Sequence, residues 1–252
     1  MKGLILVGVV FLVLVGSVFG VECGSVPTNG CTVSVDTTFS TGSYRVSGVT
    51  VSSNDVTLDC NGSTLNGAGS PIIYVYGNRN TIKNCIIVGN YAPASSIVWV
   101  FEGDGHKFIN NSVFVDDVGG PFFQFDSTNT ELINNTVNIS AHVRGISAFY
   151  FTKDGVILRE NTVDNAGIAL YLNSETTSDI FLENNNFINC TTNIYDTKGY
   201  GNIIAENNYW DTTNVIEIES KLIKAVGGNI YYDPFLCEPW PTDRLCGENV
   251  CK

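Results

Sequence analysis

The chain runs to 252 residues with a formal net charge of −12, from 13 Lys and Arg against 25 Asp and Glu. Such an acidic surface repels phosphate backbones and argues against nucleic acid as a partner. Charged residues are only 15% of the chain, while glycine alone numbers 25; this suits turn-rich β-structure better than a helix bundle or a disordered chain.

Residues 1–20 read as a secretory signal peptide. Lys2 gives a basic start, Leu4 to Val15 is apolar apart from Gly8, and the segment closes near the small residues Ser17 and Gly20. The competing reading, an uncleaved membrane anchor, has an apolar run shorter than a typical span. All eight cysteines follow this segment, and an even count in an exported chain favours disulfides. Residues 21–50 are expected to cap the N-terminal end, with Cys23 and Cys31 bracketing a Pro/Gly turn.

From residue 51 a short phrase recurs about every two dozen residues. Its anchors are Cys85, Asn111, Asn135, Asn161, Asn185 and Asn208, spaced 26, 24, 26, 24 and 23 apart. A weaker copy ends at Cys60, 25 residues before Cys85. Three residues before each anchor stand Ile82, Phe108, Leu132, Leu158, Leu182 and Ala205. Two residues after it stand Ile87, Val113, Val137, Val163, Phe187 and Trp210. Both columns are apolar throughout. One unit cannot bury these side chains alone, but stacked units bury them in continuous columns. The fold class predicted is all-β: a single-stranded right-handed parallel β-helix of about seven coils.

The anchor asparagines are expected to form a ladder. An amide is both donor and acceptor, so identical copies can chain along the axis, which ionised Asp cannot do. Cys60 and Cys85 hold the same position in successive units, and a strand spacing of about 4.8 Å lies within disulfide reach.

A second run of β-branched and aromatic residues follows in most units, starting at Ile72, Ile97, Phe122, Ile146 and Ile168. Of the rings in these runs, Tyr74, Tyr76, Trp99, Phe101, Phe123, Phe125, Tyr150 and Tyr171 are candidates to stack on sugars. Alternation counted from Ile72 and Ile97 assigns Tyr74, Tyr76, Trp99 and Phe101 to the core. The same count puts Phe149, Phe151 and Tyr171 on the opposite, exposed face.

The repeats extend over 51–236. Near 214–226, Val215, Ile218, Leu222 and Val226 fall at helical spacing before Gly227, predicting a short helix over the end of the stack. Residues 237–252 form a cysteine-rich tail. Cys237, Cys246 and Cys251 crowd it, with Cys190 a further disulfide candidate; lacking His and CxxC, the trio points to disulfides over zinc, and no metal site is expected.

These repeats resemble those of pectate-lyase-like right-handed β-helix proteins, in particular the NosD-type and carbohydrate-binding/sugar-hydrolase repeat families. The segments Leu58 to Gly62 and Ile82 to Cys85 are similar to secreted archaeal surface proteins. The ending, Asn207 to Trp210 followed by Asp233 to Phe235, resembles the close of NosD-like domains. The resemblance implies the fold, over residues 50–236. It leaves activity open, because this fold hosts lyases, hydrolases, adhesins and scaffolds.

NosD-type proteins are linked to copper-enzyme maturation, but two His and one Met make a poor copper set. For polysaccharide cleavage the candidates are Asp116, Asp117, His142 and Arg144, with Asp104 and His106 one coil earlier. His142 follows Asp117 by about one coil, the arrangement a carboxylate- or base-assisted reaction needs. A lyase would add calcium; otherwise no cofactor is expected. Ordinary loop chemistry explains the same residues. Among the glycosylation sequons, Asn61 and Asn138 are expected in surface loops. The reading is a secreted or cell-surface protein, structural or glycan-contacting and non-catalytic, with extracellular polysaccharide or cell-surface components as partners. The alternative is a polysaccharide lyase or glycoside hydrolase.

Overall fold

The computed structural model describes residues 21–67, 71–89, 96–115, 120–140, 145–173, 178–199 and 201–247. Among them, three parallel sheets of nine, nine and seven strands run the length of the molecule, here called A, B and C. Each coil passes through them in turn. One coil reads Val98–Val100 (A), Lys107–Ile109 (B) and Ser112–Val115 (C), and the next reads Phe123–Phe125, Glu131–Ile133 and Thr136–Ile139. Equivalent residues pair across coils: Phe108 with Leu132, and Val113 with Val137. The result is the right-handed parallel β-helix predicted, about seven coils long.

Both apolar columns of the repeat line the interior. Leu132, Leu158, Val137 and Val163 are all fully buried, as is Trp210 at the C-terminal end. Truncating such a side chain to Ala costs about 2–5 kcal/mol.

The corner between sheets B and C explains the paired asparagines of the repeat. Its first residue takes a left-handed conformation in every coil: φ is 56° at Asn110, 53° at Asn134 and 57° at Asn184. Asn tolerates this region better than most side chains; Glu160 holds it at 58°. The second residue turns inward as the ladder amide. Asn111 Nδ2 donates to Asn135 Oδ1 at 3.0 Å, Asn135 to Asn161 at 2.9 Å, Asn161 to Asn185 at 2.9 Å and Asn185 to Asn208 at 2.8 Å. Each oxygen also accepts from the preceding anchor's backbone N–H, and each nitrogen donates to a carbonyl of the preceding coil, as Asn161 does to Leu132. These buried amides are therefore satisfied on every side, the condition under which a buried polar network holds register.

The same column ends in a covalent link. Cys60 and Cys85 are disulfide-bonded with their Cα atoms 4.8 Å apart, and the Cys85 N–H donates to Asn111 Oδ1. Cys23–Cys31 and Cys237–Cys246 are also bonded. Cys190 departs from expectation: it is a buried free thiol. The tail instead closes on itself, because Phe235–Leu236 pairs antiparallel with Leu245–Cys246 and brings Cys246 to Cys237. Cys251 lies outside the described residues, as do residues 1–20, the segment expected to be a signal peptide.

The short C-terminal helix expected from the sequence is present, and the coils reach further toward the N-terminus than residue 51. Within residues 21–50, Thr32–Val33 already pairs with Val49–Val51 in sheet A, and Glu22 bridges in parallel to Thr32. At the other end the helix covers only Val215–Ser220, capped by the Asn214 side chain accepting from the Ile216 N–H. Leu222–Ile223 then joins sheet A beside Ile194 and Tyr195. Ile218 is fully buried and Val215 and Leu222 pack against the core, whereas Val226 is fully exposed, so the helix stops short of it. At the last strand of sheet C, Tyr209 forms a parallel bridge with Asn186, and the Asn186 side chain exchanges two hydrogen bonds with the Trp240 backbone of the tail, at 2.6 and 3.1 Å. No helix among the described residues is long and apolar enough to cross a membrane.

Candidate functional site

The outer face of sheet A carries a column of aromatic side chains. Register places Thr50, Tyr74, Trp99, Gln124, Tyr150, Tyr171 and Tyr195 side by side on successive coils. A second outward column follows it, through Tyr76, Phe101, Asp126, Thr152, Asn173 and Thr197. Their backbone N–H groups bond the strand before, as Asp126 does to Val100 and Asn173 to Phe151.

This arrangement reverses the assignment made from alternation. Tyr74, Tyr76 and Trp99 are half-buried and face outward, and Phe101 is exposed. Phe123, Phe125, Phe149 and Phe151 are fully buried. The reason lies at the corner before each strand. Ile72 and Ile73 are both buried, and so are Ile97 and Val98. Two consecutive inward residues shift the period-two count by one, so everything counted from Ile72 or Ile97 lands on the wrong face. Tyr171 does face outward, half-buried.

Trp99, Tyr150 and Tyr171 are held by their polar tips, which reach diagonally to the second column of the next coil. Trp99 Nε1 donates to Asp126 Oδ2 at 2.8 Å. The Tyr150 hydroxyl accepts from Asn173 Nδ2 at 2.8 Å, and Tyr171 stands in the same relation to Thr197. Burial, then the neighbouring Tyr150 and Tyr195, pushes the Tyr171 phenol above its usual range. The second column is itself cross-linked: Thr152 donates to Asp126 at 2.7 Å and Thr197 to Asn173 at 3.1 Å. Ring centroids lie 5.0 Å apart for Tyr150 and Tyr171, and 5.1 Å for Tyr171 and Tyr195. The rings thus overlap like shingles, at about one strand spacing each. In the two outward columns Asp126, just past the strand Phe123–Phe125, is the charged side chain; no Lys or Arg joins it.

The candidate catalytic residues Asp116, Asp117, His142 and Arg144 lie outside the described residues. The two related positions one coil earlier are structural. His106 is fully buried; its Nδ1 accepts from the Asn80 N–H at 3.4 Å and its Nε2 lies 3.2 Å from the Glu102 carbonyl. Burial pushes its pKa down and keeps it neutral. Asp104 accepts from Asn129 and Thr128 on the next coil, and these bonds hold its carboxyl below the usual range. Of the two sequon asparagines, Asn61 sits on an exposed left-handed turn. Asn138 lies half-buried within the strand Thr136–Ile139, not in a loop.

With the coil geometry established, comparison with family models assigns residues 20–235 to the family described as periplasmic copper-binding protein (NosD). The chain belongs to this parallel β-helix family. No curated protein and no solved structure gives a significant match. The three disulfides mark an oxidising compartment, outside the cytoplasm.

Copper needs clustered imidazole, thiolate or thioether donors. Among the described residues no three of His, Cys, Asp and Glu come together. His106 is engaged and buried, and Cys190 is buried alone. The described side chains therefore do not fit copper.

Proposed function

We propose that this is an exported, non-catalytic β-helix module that binds an uncharged polysaccharide along the outer face of sheet A. The observation that carries this reading is the column Tyr74, Trp99, Tyr150, Tyr171 and Tyr195, in which the tips of Trp99, Tyr150 and Tyr171 are tied to the next coil. Aromatic faces take up the apolar faces of sugar rings, and rings already fixed lose little entropy on binding. The 5.0 and 5.1 Å ring spacings suit an extended chain parallel to the helix axis, with about one pyranose per coil. Gln124, interleaved with the rings, and Asn173 beside them each donate one amide hydrogen, to Asp126 and Tyr150 respectively, and keep a second for a sugar hydroxyl. An acidic polymer is disfavoured, because Asp126 lies in the middle of the face and a protein of net charge −12 repels it.

Affinity electrophoresis tests the reading. Disulfide-intact protein is run through gels containing galactomannan, β-glucan or polygalacturonate. A neutral polymer should retard the protein, Tyr171→Ala should abolish the shift, and no new reducing or unsaturated ends should form. Retardation by none of the neutral polymers, or polymer cleavage, overturns it.

A further inference from the structure

A second surface, on the outer face of sheet B, is built from different chemistry. In its C-terminal half, register aligns Ile157 with Phe181, Phe181 with Ile204, and Ile204 with Tyr231. These four apolar side chains form a column facing solvent, with Phe181 45% and Tyr231 47% exposed. An outward apolar column on a sheet face is unusual beside its own N-terminal half, where Thr57, Thr81 and Lys107 hold the equivalent positions.

Depressions of about 370, 150 and 320 Å³ follow one another along this column. Phe181 lines the first and second, and Glu206 the second and third, so they form one groove. Its walls are acidic. Glu131 and Asp179 stand at one end, Glu183 and Glu206 in the middle, and Glu219 and Asp233 at the other. Against these six carboxylates stand two cations: Lys107, 3.1 Å from Glu131, and Arg159, 3.5 Å from Glu183. Glu206 is exposed and makes no ion pair among the described residues.

We propose that this groove docks an extended, basic peptide segment of a partner protein, with alternate apolar and Lys or Arg side chains. The groove crosses five strands, about 19 Å at the strand spacing, the length of about six residues of extended chain. Apolar side chains enter the depressions beside Phe181 and Tyr231, and cationic ones reach the carboxylate walls or lie over the two rings. A second copy of this chain does not suit the groove, because its net charge is also negative. The site is separate from the aromatic face of sheet A.

The test is fluorescence anisotropy with the disulfide-intact protein and a labelled octapeptide of alternating Leu and Lys. Leu–Glu octapeptide and a glucosamine oligomer serve as comparison probes. The Leu–Lys peptide should bind, and Phe181→Ala should weaken it by about tenfold, as expected for an aromatic anchor. Glu183→Gln with Glu206→Gln should weaken it too, and flatten its salt dependence up to about 1 M, where charges are screened within about 3 Å. Phe181→Tyr should retain binding, separating anchor loss from misfolding. Tyr171→Ala should leave the peptide affinity unchanged. The inference is overturned if the Leu–Glu peptide binds as well, if the glucosamine oligomer binds in place of the Leu–Lys peptide, or if the Leu–Lys peptide fails to bind.

Discussion

Trp99 and Asp126 lie on neighbouring coils, and the indole N–H donates to the carboxylate at 2.8 Å. The same carboxylate accepts from Gln124 and Thr152. One acid therefore orients a ring, an amide and a hydroxyl on the outer face without contributing to the core. Asp126→Ala should leave the fold intact, with a loss of about 0.5–1.5 kcal/mol per bond at most. It should free the Trp99 ring, so retardation by a neutral polysaccharide should fall several-fold, approaching the effect of Trp99→Ala. Thermal melting and affinity electrophoresis on the two variants check this. A variant that binds as the parent does would show that the rings need no tether.

The ladder makes a sharper demand. Asn161 accepts from the backbone and side chain of Asn135, and donates to Asn185 Oδ1 and the Leu132 carbonyl. Asn161→Ala removes all four partners at once. With each orphaned buried group costing about 1–3 kcal/mol, the variant should lose several kcal/mol or fail to fold. Asn161→Asp is the more informative change. It keeps the acceptor but points the other oxygen at two oxygens, which favours the protonated acid and raises its folded pKa above the unfolded value. Its protonated form should thus be tolerated at acid pH, and stability relative to the parent should fall as pH rises through the carboxylate range and beyond. Urea denaturation of both proteins at pH 3.5 and pH 7 measures the difference. An equal deficit at both pH values would refute it.

The interior was legible in the sequence because its constraints repeat. Asn111, Asn135, Asn161 and Asn185 recur because each must match the copy above and below, and the aliphatics on either side recur for the same reason. The outer face of sheet A was misread because Ile72 and Ile97 sit in the corner and not in the strand. Corner geometry sets the phase, and no residue type announces that two neighbours will both turn inward. The tether between Trp99 and Asp126 joins residues 27 apart, so it became visible only once register was known. The second outer groove was missed for a similar reason. Phe181 and Tyr231 look like strand residues anywhere, and only the pairing of Phe181 with Ile204, and Ile204 with Tyr231, makes them one column.

At the N-terminal end the ladder gives way to the Cys60–Cys85 disulfide, which closes a loop of 25 residues. By chain entropy such a link contributes about 3–4 kcal/mol. Replacing both cysteines with Ser should lower stability by roughly that amount. Replacing both with Asn should recover part of it, because position 85 already donates its N–H to Asn111 Oδ1 and an amide there can extend the chain of donors and acceptors. Denaturant midpoints of the two double variants decide the point. If Asn is no better than Ser, the ladder does not propagate beyond Asn111.

Among the described cysteines, Cys190 is the buried thiol left out of the bonded pairs. Its sulfur approaches the Ile188 carbonyl at 3.3 Å, and burial raises its pKa from 9.0 to about 12. Reactive cysteines need the thiolate, so this one should resist alkylation at pH 8 in the folded protein and react only after unfolding. The same shift sets an alkaline dependence. Between 9.0 and about 12 the unfolded thiol ionises while the folded one stays protonated, so the folded state binds more protons and stability falls as pH rises. Below pH 9 this contribution is fully present. Cys190→Ala should therefore lose some packing energy at neutral pH, yet close part of the gap to the parent above pH 9. Iodoacetamide mapping and paired melts at pH 7 and pH 10 test both statements; native-state alkylation at the rate of a free peptide thiol would place Cys190 outside the core.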